Sequence, residues 1–111
     1  MIGGFNLGGN PNATRLAILG KGPSLSQFGL SPVLADPTLE LRNQNGTIMV
    51  SNDDWGTDAS AGLLAASGFA PTHPKEAGLY LSLTPPGQFT AILSGKDGGV
   101  GIGLVEIYNL K

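Results

Sequence analysis

The sequence predicts an all-β domain, a seven- to eight-stranded antiparallel β-sandwich, jelly-roll-like, with one short helix. Three observations predict it. Glycine and proline number 18 and 8 in 111 residues, more than a helical bundle tolerates and what tight turns between strands require. Short runs alternate apolar and polar residues, the period of a half-buried strand. Turn signals recur about every eight to twelve residues, the spacing of sandwich strands.

The elements follow in order. A first strand spans about Ile2 to Leu7, and the glycine- and asparagine-rich stretch Asn6 to Asn12 turns the chain. Thr14 to Leu19 alternates, with Leu16 and Ile18 on one face. Gly20-Lys-Gly-Pro-Ser24 breaks the pattern, and Leu25 to Ala35 reads as an ordered crossing loop anchored by Phe28, Leu30, Val33 and Leu34. Leu39 and Leu41 then face inward on one strand, Ile48 and Val50 on its partner. Asn45-Gly46 between them is a hairpin signal, because both residues accept positive φ.

Asp58 to Ser67 is the one predicted helix. Asp58 caps its start, Gly68 takes the left-handed position after it, and Pro71 stops it. In the last third, Leu79, Leu81 and Leu83 alternate with Tyr80 and Ser82. Pro85-Pro86-Gly87 turns, and Phe89, Ala91 and Leu93 continue the inward face. Gly95 to Gly99 turns again, and Val100 to Leu110 is predicted as a final strand. Being apolar at both parities, it is expected to be central or bulged.

Composition narrows the function. A chain of this length is read as a single module, 1–111, one unit of a larger exported protein. Apolar residues make up 41% and charged residues 13%, so a folded core is expected rather than disorder. Net charge is −2 with six scattered Lys and Arg, which leaves no basic footprint for nucleic acid. No run approaches the roughly 18 apolar residues of a membrane helix. Without cysteine there is neither a disulfide framework nor a thiolate metal site. No signal peptide is visible after Met1, so an exported parent would make this an excised piece with an added start methionine.

The acidic stretch at the end of the hairpin carries the chemistry. Asn52, Asp53 and Asp54 place oxygen ligands where a strand leaves its sheet, and Asp36 starts the paired strand. Asp58 lies a few residues downstream. These five form the expected Ca2+ site, because calcium takes six to eight oxygens and adjacent carboxylates on a tight turn supply several. The competing reading is that Asn52 and Asp53 only form Asx-turns. Trp55 beside this loop is the candidate ligand-binding residue, a platform for a sugar ring; packing at the core edge is its alternative role.

Catalytic constellations are missing from the sequence. His73, the single histidine, has no Gly-x-Ser-x-Gly elbow to serve. The carboxylates show no spacing that favours a glycosidase pair. Gly95 to Gly103 leads into an expected strand rather than a helix, which rules out a phosphate loop. The chain is therefore expected not to be an enzyme.

Asp36-Pro37-Thr38-Leu39, Asn45-Gly46-Thr47, Ser51-Asn52-Asp53-Asp54, Gly87-Gln88-Phe89-Thr90 and Val105-Glu106-Ile107-Tyr108, in that order, resemble the bacterial pre-peptidase C-terminal domain and related modules. The resemblance covers roughly Asp36 to Leu110. It implies an appended, non-catalytic β-sandwich on a secreted or cell-surface bacterial protein, often with calcium in the acidic loop. The excursion from Gly56 to Pro74 departs from that pattern. The expected function is an extracellular accessory or adhesion module, with glycans or neighbouring modules as partners. A carbohydrate-binding module and a homo-oligomeric filament or array subunit are the two alternatives.

Overall fold

Where apolar parity is clean, the chain extends. A computed structural model describes residues 2–7, 14–83 and 87–109. Its strands are β1 (Ile2–Leu7), β2 (Thr14–Lys21), β3 (Pro37–Asn43), β4 (Ile48–Asn52), β5 (Ala77–Leu83), β6 (Gly87–Gly95) and β7 (Leu104–Asn109). The helix α1 spans Ala61–Ser67, and 3-10 turns occupy Pro23–Phe28, Trp55–Thr57 and Lys96–Gly98. The expected turns over Asn6 to Asn12 and at Pro85-Pro86 fall largely outside the described residues, as does Leu110.

All strand pairs are antiparallel. They form a four-stranded sheet ordered β1-β6-β3-β4 and a three-stranded sheet ordered β5-β2-β7. Leu39 and Leu41 of β3, with Phe89 and Ala91 of β6, meet Leu16 and Ile18 of β2 and Leu79 and Leu83 of β5 between the sheets. Each such side chain contributes about 1.5–3 kcal/mol on burial. A second cluster covers the outer face of the three-stranded sheet: Ala17, Leu19 and Leu64 of α1 are buried there, with Trp55, Phe69, Tyr80 and Tyr108 packed around them. The rings of Phe69 and Tyr108 stack with centroids 4.4 Å apart.

This architecture corrects the expected fold. The described chain is not an all-β, jelly-roll-like sandwich of seven to eight strands. Its four- and three-stranded sheets are separate and open, and a helix and three 3-10 turns are integral to it, a mixture of α and β structure. A jelly roll is built from eight strands in two Greek keys. The resemblance to the pre-peptidase C-terminal module is overturned on the same ground. Turn spacing counts strands but carries no information on which strand lies beside which. The crossing loop also holds a 3-10 turn, and the expected helix of the second excursion packs on β5 of the three-stranded sheet.

Smaller corrections have local causes. The helix begins at Ala61 rather than Asp58, because the Asp58 carboxylate binds the Ser60 N–H and hydroxyl at 2.9 and 2.6 Å and forms an Asx-turn ahead of it. In the hairpin only Gly46 takes positive φ, at 81°. Asn43 Oδ1 instead accepts the N–H groups of Asn45 and Thr47 at 2.9 and 3.1 Å. The last strand starts at Leu104 and lies at a sheet edge. Its double apolar parity reflects a sheet covered on both faces, since Val105 and Ile107 pack inward and Tyr108 packs outward. Of the expected crossing-loop anchors, Leu34 is buried, joined by Leu25, whereas Phe28 and Leu30 are exposed.

Glu76 is the buried charged residue of the described core, fully inaccessible. Its Oε2 accepts the Gly22 N–H at 2.8 Å, the Ser24 N–H at 3.0 Å and the Ser24 hydroxyl at 2.6 Å. Its backbone carbonyl accepts the Trp55 N–H at 2.9 Å. One residue thus ties the chain leaving β2 and the chain leaving β4 to the start of β5. Buried donors stripped of their acceptor cost about 1–3 kcal/mol each. Glu76→Ala should lower the unfolding free energy by about 3 kcal/mol, read from urea melts, and Glu76→Gln, which keeps an acceptor oxygen, should cost less. Equal stability of Glu76→Ala and the parent would show that the clamp carries no weight.

Candidate metal centre

Asp36 immediately precedes β3, and Asp53 and Asp54 immediately follow β4. Because β3 and β4 pair antiparallel, with Leu39 opposite Asn52, the start of one and the end of the other meet at one corner. One carboxylate oxygen from each of Asp36, Asp53 and Asp54 lies within 4.8 Å of the others. The three side chains are half-buried. Each also keeps Oδ1 buried with no hydrogen-bond partner. Three anionic oxygens this close repel one another and form a group that can coordinate a metal ion.

A resident cation partly offsets that repulsion. Lys96 Nζ sits 2.7 Å from Asp53 Oδ2, and the Lys96 N–H donates to the Asp36 carbonyl at 2.9 Å. Lys96 reaches the corner because β6 pairs with β3, Gly95 opposite Pro37. The Lys96 ammonium, hydrogen-bonded to Asp53, holds that carboxyl below its usual value against the opposing effect of burial. Burial first, then the adjacent Asp53 carboxyl and the charges of Asp53 and Asp54, hold Asp36 above its usual value.

The two remaining expected ligands do other work. Asn52 Oδ1 accepts the Gly78 N–H at 2.9 Å and its Nδ2 donates to the Asp54 carbonyl at 3.2 Å, so this side chain fastens β4 to β5. Asp58 forms the Asx-turn before α1 and faces an open groove beside the corner. Trp55 is half-buried against the outer cluster of the three-stranded sheet. His73 Nδ1 accepts the Lys75 N–H at 3.1 Å within its loop.

Sequence reading missed Lys96 and Glu76. The turn holding Lys96 was legible at Gly95 to Gly99, but its neighbour across the sheet was not. Glu76 looked like one acidic residue among eight, and nothing local marked it as buried. No family model, no curated protein and no solved structure matches the chain, so the corner is read on its geometry alone.

The two carboxyls respond to pH with opposite signs. Asp53, held low in the folded chain, contributes stability above the ordinary carboxylate value and loses it as pH falls through its folded value. Asp36, held high, binds its proton more readily when folded, so its ionised form at neutral pH opposes folding. With divalent cations chelated, Asp36→Asn should therefore stabilise the protein near neutral pH. The gain should shrink as pH falls through the carboxylate range, measured by urea unfolding across a pH series. Destabilisation near neutral pH would contradict the assignment of Asp36 as the unfavourable charge.

Proposed function

We propose that this chain is a non-catalytic extracellular accessory module, stiffened by calcium bound at Asp36, Asp53 and Asp54. The observation that supports the reading is the convergence of these carboxylates, with three buried oxygens lacking partners, at the end of a hairpin. Calcium suits the site better than zinc, because the donors are hard oxygens with no histidine or thiolate among the three. Water would complete the coordination shell. Lys96 is an internal competitor for Asp53, so an arriving ion displaces or reorients one ammonium group.

The ion would join three segments: the chain entering β3, the chain leaving β4, and, through the Asp36 carbonyl that accepts the Lys96 N–H, the turn after β6. A module exposed to shear or proteolysis gains from tying its loops in this way.

Thermal melts in calcium and in EDTA test the reading. At calcium about 100-fold above Kd the stabilisation should be about 2.7 kcal/mol, and magnesium, which demands tighter octahedral geometry, should give less. Asp36→Asn provides a sign test. It should stabilise in EDTA, and in calcium it should abolish most of the ion's effect. A parent melting temperature unmoved by calcium would remove the ion from the account.

A further inference from the structure

Beside the acidic corner, an open groove of about 600 Å³ runs along the outer face of the four-stranded sheet. Its floor follows the sheet register, with Ser51 of β4 opposite Glu40 of β3 and Thr38 of β3 opposite Ser94 of β6. Thr57 and Asp58, carried by the turn after β4, form one wall. The groove does not depend on a metal ion, and Trp55 is not among its lining residues.

Its chemistry selects against most ligand classes. Away from the acidic corner, to which Asp53 belongs, the groove carboxylates are already compensated: Glu40 pairs with Arg42 at 3.2 Å, and Asp58 Oδ2 accepts both the N–H and the hydroxyl of Ser60. A cationic ligand would have to displace existing partners, and an anionic one would meet three carboxylates. The apolar residue of the lining, Leu39, is fully buried, so an apolar ligand gains little area. What remains is hydroxyl chemistry. Thr38 Oγ1 and Ser94 Oγ lie 3.1 Å apart as a linked pair, and the Thr38 hydroxyl also reaches the Ser94 carbonyl at 3.3 Å. The Thr57 hydroxyl donates to the Asp54 carbonyl at 2.9 Å, which leaves its lone pairs as acceptors. The Ser51 side chain is exposed with no hydrogen bond to another described residue.

We infer that this groove binds a neutral polyhydroxylated ligand, a sugar unit of a glycan, through hydrogen bonds to Thr38, Ser51, Thr57 and Ser94. Paired donor–acceptor hydroxyls match vicinal diols, and no aromatic ring lines the groove, so contact is hydrogen-bonded rather than stacked. Affinity is accordingly weak per site, as expected for an open polar surface.

The test is a titration of the isotope-labelled protein with cellotriose, maltotriose and N,N′,N″-triacetylchitotriose, each separately, in EDTA, followed by amide chemical shifts. EDTA separates this inference from the calcium reading, which can fail while the groove still binds. At least one sugar should shift the amides of Thr38, Ser51, Thr57 and Ser94 together. The double variant Thr38→Val, Ser94→Ala should weaken that sugar about tenfold or more with its melting temperature retained, and Trp55→Phe should leave binding unchanged. Absence of shifts with all three sugars overturns the inference. So do shifts confined to residues around Trp55, or groove shifts produced by spermidine but by none of the sugars.

Discussion

The buried carboxylate of Glu76 is the interaction on which the arrangement depends. Each excursion between the sheets must be held down where it leaves a strand, and backbone donors at such breaks have no ladder partner. Glu76 supplies the acceptors for both. Its side chain takes the N–H groups of Gly22 and Ser24, where the chain leaves β2 for the four-stranded sheet, and its carbonyl takes the N–H of Trp55, where the chain leaves β4 for the three-stranded sheet. The approach is tight, since a Cβ on Gly22 would collide with the Leu34 carbonyl. Burying a carboxylate is costly unless hydrogen bonds offset it, and three donors converge on one oxygen to do so.

The acidic corner lies next to that clamp. The carboxylates of Asp36 and Asp53 meet because β3 and β4 pair antiparallel, while Glu76 fastens the chain just beyond Asp54 at Trp55. Electrostatics there is frustrated rather than satisfied. Lys96 offsets one charge, Asp36 is held against its tendency to ionise, and three oxygens lack partners. A corner in that condition gains from any additional positive charge.

The outer faces of the two sheets differ for the same topological reason. The excursion after β4 folds back over the three-stranded sheet, so α1 and the aromatic residues Trp55, Phe69, Tyr80 and Tyr108 cover it. On the outer face of the four-stranded sheet, Thr38, Glu40, Ser51 and Ser94 line an open groove. Trp55, the residue that sequence alone offers as a sugar platform, is drawn to the apolar side because its ring has buried partners there.

Much of the local structure was legible in the residues. Leu39 and Leu41, Leu79 and Leu83, and Phe89, Ala91 and Leu93 announce their inward faces by alternation, since parity is a local property of an extended chain. Gly68 announces the end of α1, and its φ of 85° is the left-handed value that glycine takes at least cost. Asp36 and Asp53 could be placed together because a hairpin with a short turn leaves little freedom in register. Apart from the β3–β4 hairpin, which strands are neighbours, the division into separate sheets of four and three, the delivery of Lys96 to Asp53, and the hold of Glu76 on Gly22 and Ser24 were decided only in the tertiary structure. Each depends on contacts between residues more than forty positions apart, and no local pattern encodes a partner at that distance.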